Sequence, residues 1–174
     1  IKEGSLVVLP QLRNNKMVLL SEMLARGGVY VGVVAKEKED AIDEILNFFC
    51  EAGKYTKNYR TKIKTSIMER EATGSTGIGG GGAIPHCRIG KDDEVELYIS
   101  VAADQIEFQS IDGKPVKVVF TVILPKTNAS VHAESLKAIA GFMRNERFFR
   151  YLKSAKTSAE VLEVISDYEK EVRK

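Results

Sequence analysis

Histidine is scarce in this chain, whose 174 residues contain only His86 and His132. His86 follows Ile84 and Pro85 and comes directly after a glycine-rich segment. A neutral imidazole is a good nucleophile near pH 7 because its pKa lies close to that value. His86 is therefore a candidate for covalent chemistry, in particular for accepting a phosphoryl group beside a set of backbone amide donors.

The segment before His86 reads GSTGIGGGG over residues 74–82 and contains six glycines. Glycine permits close backbone approach to a ligand, and successive N–H groups can hold an oxyanion. The run also satisfies GxGxxG, but a dinucleotide loop should follow a strand and open a helix, whereas here a helix precedes and Pro85 follows. No Lys-Ser/Thr pair follows, so it is not a P-loop. Nucleotide binding and a flexible surface loop are the alternatives.

The two cysteines, Cys50 and Cys87, add little chemistry. A protease-like dyad of Cys87 with His86 is disfavoured because neighbours in an extended segment point to opposite sides. Cys50 falls near the apolar face of a predicted helix, so we expect it in the core. Two cysteines and two histidines without CxxC or HxxxH spacing argue against a disulfide scaffold and a zinc site. We expect no metal.

Charge and hydropathy exclude two further classes of function. Lys plus Arg is 26 and Asp plus Glu is 24, a net charge of +2, so we expect no nucleic-acid partner. No stretch approaches the ~18 apolar residues of a membrane span, and the N-terminus has no secretory signal. We therefore expect a cytoplasmic protein without direct membrane insertion. Because the chain begins at Ile1 rather than Met, we expect a trimmed fragment.

Hydrophobic periodicity predicts the elements that must position these residues. Segments rich in β-branched residues predict strands over 29–34, 95–101 and 116–124. Helices are predicted over 12–26, 38–52 and 58–71, after a cap at Ser130, around 148–152 and after a capping box that begins at Thr157. Interleaved strands and helices indicate a single layered α/β domain.

Several separate blocks of the sequence resemble one family. Arg70-Glu71, the segment 74–79 and Ala83-Ile84-Pro85-His86 resemble the signature of the EIIA domain of the fructose/mannitol class of the bacterial sugar phosphotransferase system. The nitrogen-regulatory branch of that class carries the same signature. The segment 112–116 resembles the family's next block, and His132 with Leu136 and Ile139 resembles its H-xxx-L-xx-I helix. We expect an N-terminal extension over residues 1–16 and an EIIA type-2 domain over residues 17–174.

The resemblance implies a mixed β-sheet flanked by helices and a phosphoryl carrier. Such a domain accepts phosphate from the phosphocarrier HPr on a histidine and passes it to a cysteine of an EIIB domain. By correspondence, His86 is the phosphorylated residue, His132 the second histidine of the site and Arg70 its arginine. No cofactor is expected, because the phosphate is carried covalently. The alternative is a nitrogen-regulatory EIIA that binds regulatory target proteins according to its phosphorylation state.

These correspondences are chemically reasonable, because phosphoryl transfer depends on positioning and charge stabilisation. A guanidinium such as that of Arg70 can neutralise phosphate oxygens as a planar fork. His132 can donate a hydrogen bond to the phosphoryl group or fix the position of His86. If Ser130 is the N-cap, His132 lies in the first helical turn, where the positive helix end favours an anion.

The glycine-rich segment supplies the remaining candidates. We expect Ser75, Thr76 and Gly77 to contribute further phosphate-binding donors. Glu71 is also a candidate, the alternative being an ion pair with a lysine or arginine. The family usually has a polar residue where this chain has Gly80 or Gly81, so the run of glycines predicts a looser loop.

Overall fold

The computed structural model describes residues 17–91 and 93–174, within which helices and strands interleave. The elements, in chain order, are α1 (Leu20–Arg26), β1 (Gly28–Val33), α2 (Lys38–Glu51), α3 (Lys57–Ala72), β2 (Gly77–Gly79), β3 (Gly82–Ala83), β4 (His86–Gly90), β5 (Glu96–Ile106), β6 (Val116–Pro125), α4 (Ala129–Arg144), α5 (Glu146–Ser154) and α6 (Ser158–Val172). None of these helices is long and apolar enough to cross a membrane.

The described strands form one mixed sheet with the order β1-β5-β6-β3-β2, and β4 also pairs with β6. β6 runs antiparallel to β5 but parallel to β3 and β4, which occupy successive parts of its other edge. Between β3 and β4 lies Pro85, whose carbonyl oxygen accepts a hydrogen bond from the amide of Val122 at 3.0 Å. The sheet and its flanking helices confirm the predicted α/β class.

Side chains of β6 alternate between two buried cores, one on each face of the sheet. Val118, Phe120, Val122 and Leu124 pack with the apolar residues of α1, α4, α5 and α6. Val119 and Ile123 pack on the opposite face with α2 and α3. A strand that is apolar on both faces is typical of a sheet covered on both sides. β6 is therefore a well-fixed support for the two short strands at its edge.

α4 begins two residues earlier than the sequence suggested, and the predicted cap at Ser130 is wrong. Asn128 is the N-cap, and its side-chain oxygen accepts a hydrogen bond from the amide of Val131 at 3.2 Å. Asparagine satisfies an orphan amide of the first turn as well as serine does. His132 still lies at the end of the first turn, where its amide donates to the carbonyl oxygen of Asn128.

α1 is shorter than the helix predicted over residues 12–26. It begins at Leu20, residues 17–19 precede it, and residues 12–16 lie outside the described part of the chain. Its start is fixed from the other end of the chain, because the Glu169 carboxylate accepts hydrogen bonds from Ser21 N at 2.9 Å and Ser21 Oγ at 2.6 Å. Local periodicity cannot detect a cap supplied from so distant a residue.

Candidate functional site

His86 is the first residue of β4 and pairs with Val122 at the edge of β6. Paired residues of parallel strands point to the same face. Val122 belongs to the core that α4 covers, so the imidazole of His86 lies on the α4 face of the sheet. The residue is 9% exposed, which places the ring within the protein surface rather than on a freely solvated loop.

The imidazole of His86 has a defined tautomer. Its Nδ1 lies 2.8 Å from the carbonyl oxygen of Ile84, and a carbonyl can only accept, so Nδ1 carries the hydrogen. Nε2 then holds the lone pair. Burial lowers the pKa of His86, and the positive charges of Arg70 and Arg88 lower it further. The ring is thus kept neutral and presents Nε2 as a nucleophile near pH 7.

His132 is buried on the same face, near the end of β6. Its Nε2 donates to the carbonyl oxygen of Pro125, and its buried Nδ1 has no hydrogen-bond partner within the described residues. Val122 and Pro125 are three residues apart on β6, which is about 10 Å along a strand. The structure brings both histidines to one strand, but no hydrogen bond joins the two rings. In this tautomer the Nδ1 of His132 is an acceptor, and its one N–H is already used.

Arg70 lies in the last turn of α3, where its guanidinium binds the end of its own helix. Nη1 donates to Thr73 Oγ1 at 3.2 Å and to the carbonyl oxygen of Gly74 at 2.9 Å. A basic side chain in this position complements the helix dipole. Burial lowers the pKa of His86, and the positive charge of Arg70 contributes to the same shift. The charge of Arg70 is therefore felt at His86, while its Nη1 is already hydrogen-bonded at the end of α3.

Glu71 takes part in the ion pair that the sequence left open, and its partner is Lys38. The distance from Lys38 Nζ to Glu71 Oε2 is 2.9 Å, and both side chains are largely buried. The same carboxylate accepts hydrogen bonds from the amide of Thr76, at 3.2 Å, and from its hydroxyl. Glu71 thus anchors the start of the glycine-rich segment to α3.

The hydroxyl of Ser75 is also engaged inside the protein. It donates to the carbonyl oxygen of Phe108 at 2.8 Å and accepts hydrogen bonds from Lys38 Nζ at 3.2 Å and from Gly77 N at 3.1 Å. The polar groups of Ser75, Thr76 and Gly77 therefore hold one another and Glu71 in place. Their predicted role as phosphate donors stays a prediction. In the geometry described here they fix the loop that precedes His86.

The glycine run folds back on itself as a short hairpin of β2 and β3. Gly79, Gly80 and Gly81 all have positive φ, a region that other residues rarely adopt. The turn is held by Gly80 N, which donates to Asp112 Oδ2 at 3.0 Å, and by Lys153 Nζ, which donates to Gly80 O at 3.2 Å. The run leads into β3, not into a helix, so it lacks the context of a dinucleotide loop.

Cys87 lies on the face opposite His86. It packs with α2 and α3, and burial raises the pKa of its thiol to about 12. Adjacent strand residues point to opposite sides, so the thiol cannot meet the imidazole of His86 as a catalytic partner. Cys87 is a core residue.

Sequence reasoning missed Lys38 and Arg88. Arg88 stands two residues after His86, and this spacing would have placed both on one face had β4 been recognised. Lys38 gives only a weak signal, because a cation in the first turn of a helix opposes the helix dipole and needs a compensating partner. That partner, Glu71, is supplied by the next helix.

Solved structures of known proteins share this fold. The nitrogen regulatory protein IIA-Ntr of Neisseria meningitidis superposes with a TM-score of 0.67 at 24% identity, covering 79% of this chain and 91% of that one. The IIA mannitol protein of Escherichia coli gives a TM-score of 0.64 at 18% identity, covering 81% and 96% respectively.

Sequence relatives fall into two groups. A nitrogen regulatory protein of Pseudomonas aeruginosa is 29% identical over 152 residues, covering 87% of this chain and 97% of that protein. The fructose-specific EIIABC component of Bacillus subtilis is 28% identical over 151 residues, covering 87% of this chain. The alignment spans only 24% of the length of that larger protein.

The family model for the phosphoenolpyruvate-dependent sugar phosphotransferase system, EIIA 2, matches residues 22–168. The match includes the glycine-rich hairpin and both histidines, which are the blocks that carried the resemblance. This chain belongs to the EIIA 2 family of the phosphoenolpyruvate-dependent sugar phosphotransferase system.

Proposed function

We propose that this chain carries a phosphoryl group on Nε2 of His86, accepting it from an HPr-type phosphocarrier and passing it to a cysteine of an EIIB domain. The observation that carries this proposal is the state of the His86 imidazole. Its proton is held on Nδ1 by the Ile84 carbonyl, and burial and nearby arginines lower its pKa. A neutral ring with a defined lone pair suits in-line attack on phosphorus.

Family membership supports the two partners without identifying them for this chain. One solved relative is a complex of enzyme IIA mannitol with phosphorylated enzyme IIB mannitol from Escherichia coli, and its fold resembles this one with a TM-score of 0.64. We propose an equivalent EIIB partner here. No cofactor enters this scheme, because the phosphate is transferred between protein side chains. A cytoplasmic location remains a prediction.

Phosphorylation by purified phosphoenolpyruvate, enzyme I and HPr tests the proposal. One acid-labile phosphate per chain should appear on the wild-type protein and be absent from His86→Ala. Cys87→Ala is the matched control, because its side chain lies on the opposite face of the same strand. Undiminished labelling of His86→Ala, or failure of the wild type to accept phosphate, would overturn the assignment.

A regulatory role is the second candidate, and one observation favours it. The nitrogen regulatory protein of Pseudomonas aeruginosa is 29% identical, and the alignment spans 97% of that protein, so the similarity extends over nearly all of a regulatory protein. In that case phosphorylation of His86 would control binding to other proteins. Phosphate transfer to an EIIB cysteine followed by sugar phosphorylation would favour transport. Phosphorylation-dependent capture of a partner, without any transfer to EIIB domains, would favour regulation.

A further inference from the structure

β4 carries a second basic side chain close to the nucleophile. Arg88 is exposed, and none of the ion pairs formed among the described residues includes it. Arg70, in contrast, donates to Thr73 and Gly74 at the end of its own helix. Of the two arginines whose charge lowers the pKa of His86, Arg70 uses its Nη1 within its own helix end, whereas the guanidinium of Arg88 makes no hydrogen bond among the described residues.

The alternation of β4 places Arg88 on the same face as His86. Cys87 packs in the core formed with α2 and α3, and Ile89 packs against that core. Arg88 lies between them in sequence and points away from that core. His86 points the same way, because it pairs with Val122 of the opposite core.

The pairing of β4 with β6 is interrupted by a β-bulge or similar irregularity. Cys87 pairs with Ile123 and Gly90 with Pro125, so the two residues Arg88 and Ile89 stand opposite Leu124 alone. Such bulges bend the strand, increase its local twist and re-aim a side chain, and they are common beside active sites. The register of β4 against β6 therefore shifts just after His86, while Cys87 and Ile89 both stay packed in or against the core formed with α2 and α3.

The separation suits contact with a common ligand. Residues i and i+2 of a strand are about 7 Å apart at Cα, a distance that an extended arginine side chain can cover. A phosphoryl group attached to Nε2 of His86 would lie within reach of the guanidinium. Glu71 is the acidic group that acts on His86 from α3, and its carboxylate is already paired with Lys38.

We propose that Arg88 is a phosphoryl-binding arginine of this site, contacting the equatorial oxygens of the group that His86 receives. The inference rests on the proposed function and adds to it a residue that the family resemblance did not supply. A planar guanidinium is suited to bind two phosphate oxygens at once, and it remains charged at any physiological pH.

The transfer step balances without a further reactant. The lone pair of His86 Nε2 forms the new P–N bond while the bond between phosphorus and the donor atom breaks, and that electron pair stays on the donor. The Nδ1 hydrogen remains on the ring and continues to bind the Ile84 carbonyl. The three non-bridging oxygens move with phosphorus, and Arg88 stays associated with them in the transition state, where negative charge is spread over these oxygens.

The test compares Arg88→Gln, which removes the charge, with Arg88→Lys, which retains the charge but loses the fork. The control is Arg173→Gln. Arg173 comes directly after α6, and this helix contacts β1 at the other edge of the sheet. Phosphate uptake is measured by rapid quench with phosphorylated HPr and, separately, with the small-molecule donor phosphoramidate. Loss of a charged hydrogen bond in the transition state should slow Arg88→Gln about tenfold with both donors.

Arg88→Lys should fall between Arg88→Gln and the wild type, and Arg173→Gln should match the wild type. NMR titration supplies a readout that a purely structural role would not change, since Arg88→Gln should raise the pKa of His86. Wild-type rates for Arg88→Gln with phosphoramidate would overturn the Arg88 assignment. A wild-type protein that accepts phosphate from phosphoramidate but not from HPr would instead overturn the carrier function.

Discussion

Lys38 at the start of α2 and Glu71 near the end of α3 form an ion pair with 2.9 Å between Nζ and Oε2. The side chains are 13% and 3% exposed, so the pair is screened from water much more than a surface pair would be. Glu71 also holds Thr76, and Lys38 holds Ser75. The pair therefore connects two helices to the loop that leads to His86.

Removal of Lys38 should destabilise the protein strongly. Lys38→Met leaves the buried Glu71 carboxylate without its counter-charge, and we expect a loss of about 3 kcal/mol in the free energy of unfolding. Urea denaturation of Lys38→Met and the wild type measures this loss in the free energy of unfolding. The control is Arg147→Met, which breaks an ion pair with Glu171 whose partners are each 50% exposed and should cost less than about 1 kcal/mol. Equal losses in the two variants would contradict this reading.

His86 should make the stability of the fold depend on pH. Its folded pKa is lowered, mainly by burial and then by Arg70 and Arg88, so below its ordinary value of 6.5 the unfolded chain binds a proton that the folded chain resists. The stability that neutral His86 contributes to the fold is fully present above pH 6.5. It is lost as pH falls toward the folded pKa, and the free energy of unfolding then drops by up to about 1.4 kcal/mol per pH unit. Denaturation of wild type and His86→Gln across pH 5 to 8 checks this. If the free energies of unfolding of the two proteins changed with pH in parallel, this dependence on His86 would be refuted.

Glu169 should control the start of α1. Glu169→Gln replaces two hydrogen bonds to a buried carboxylate by weaker neutral contacts, so we expect a loss of about 1–2 kcal/mol. The amides at the start of α1 should also exchange faster with deuterium. Glu163→Gln, an exposed substitution on the same helix, is the control and should leave both quantities unchanged. Exchange at α1 that responds equally to both substitutions would rule out the proposed cap.

A methyl group added at Gly82 should displace the end of the Met143 side chain. A Cβ built there would lie 2.0 Å from Met143 Cε and 3.0 Å from Phe149 Cζ, so Gly82→Ala should cost about 1–3 kcal/mol through overpacking. A double-mutant cycle with Met143→Ala should show coupling, because the obstructing atom is removed. Gly141→Ala, where nothing lies within 4 Å, should instead stabilise α4 by about 0.5–1 kcal/mol. Thermal or urea unfolding of the wild type and the four variants measures these changes, and an additive cycle would argue against the clash.

The longer elements were predictable because their apolar periodicity is strong. α2 and α3 begin and end within one residue of the predicted limits, and β6 extends one residue further than its prediction. β4 was missed because its sequence HCRIG alternates a histidine and an exposed arginine with apolar residues, and it becomes a strand only through pairing with β6. Such pairing joins residues about 36 positions apart in sequence, which no local pattern contains.

In the candidate site, too, local sequence patterns identified some residues, while contacts between distant residues could not be predicted. The motif identified His86 as the candidate nucleophile, but the Ile84 carbonyl that fixes its tautomer is a property of the turn at Pro85. Lys38 was missed because its partner Glu71 is 33 residues away. The four glycines predicted a looser loop, whereas Asp112 and Lys153 hold that hairpin from distant parts of the chain.

β6 has a consequence for how the protein is made. The strand that supports His86 is Val116–Pro125, and the carbonyl that receives His132 belongs to its last residue. During synthesis His86 therefore enters the chain before the strand that supports it has been made. A nascent chain that stops before Val116 would contain His86 but not the strand that buries it. The proposed competence of His86 to carry phosphate should thus appear late, only once the chain has extended through α4.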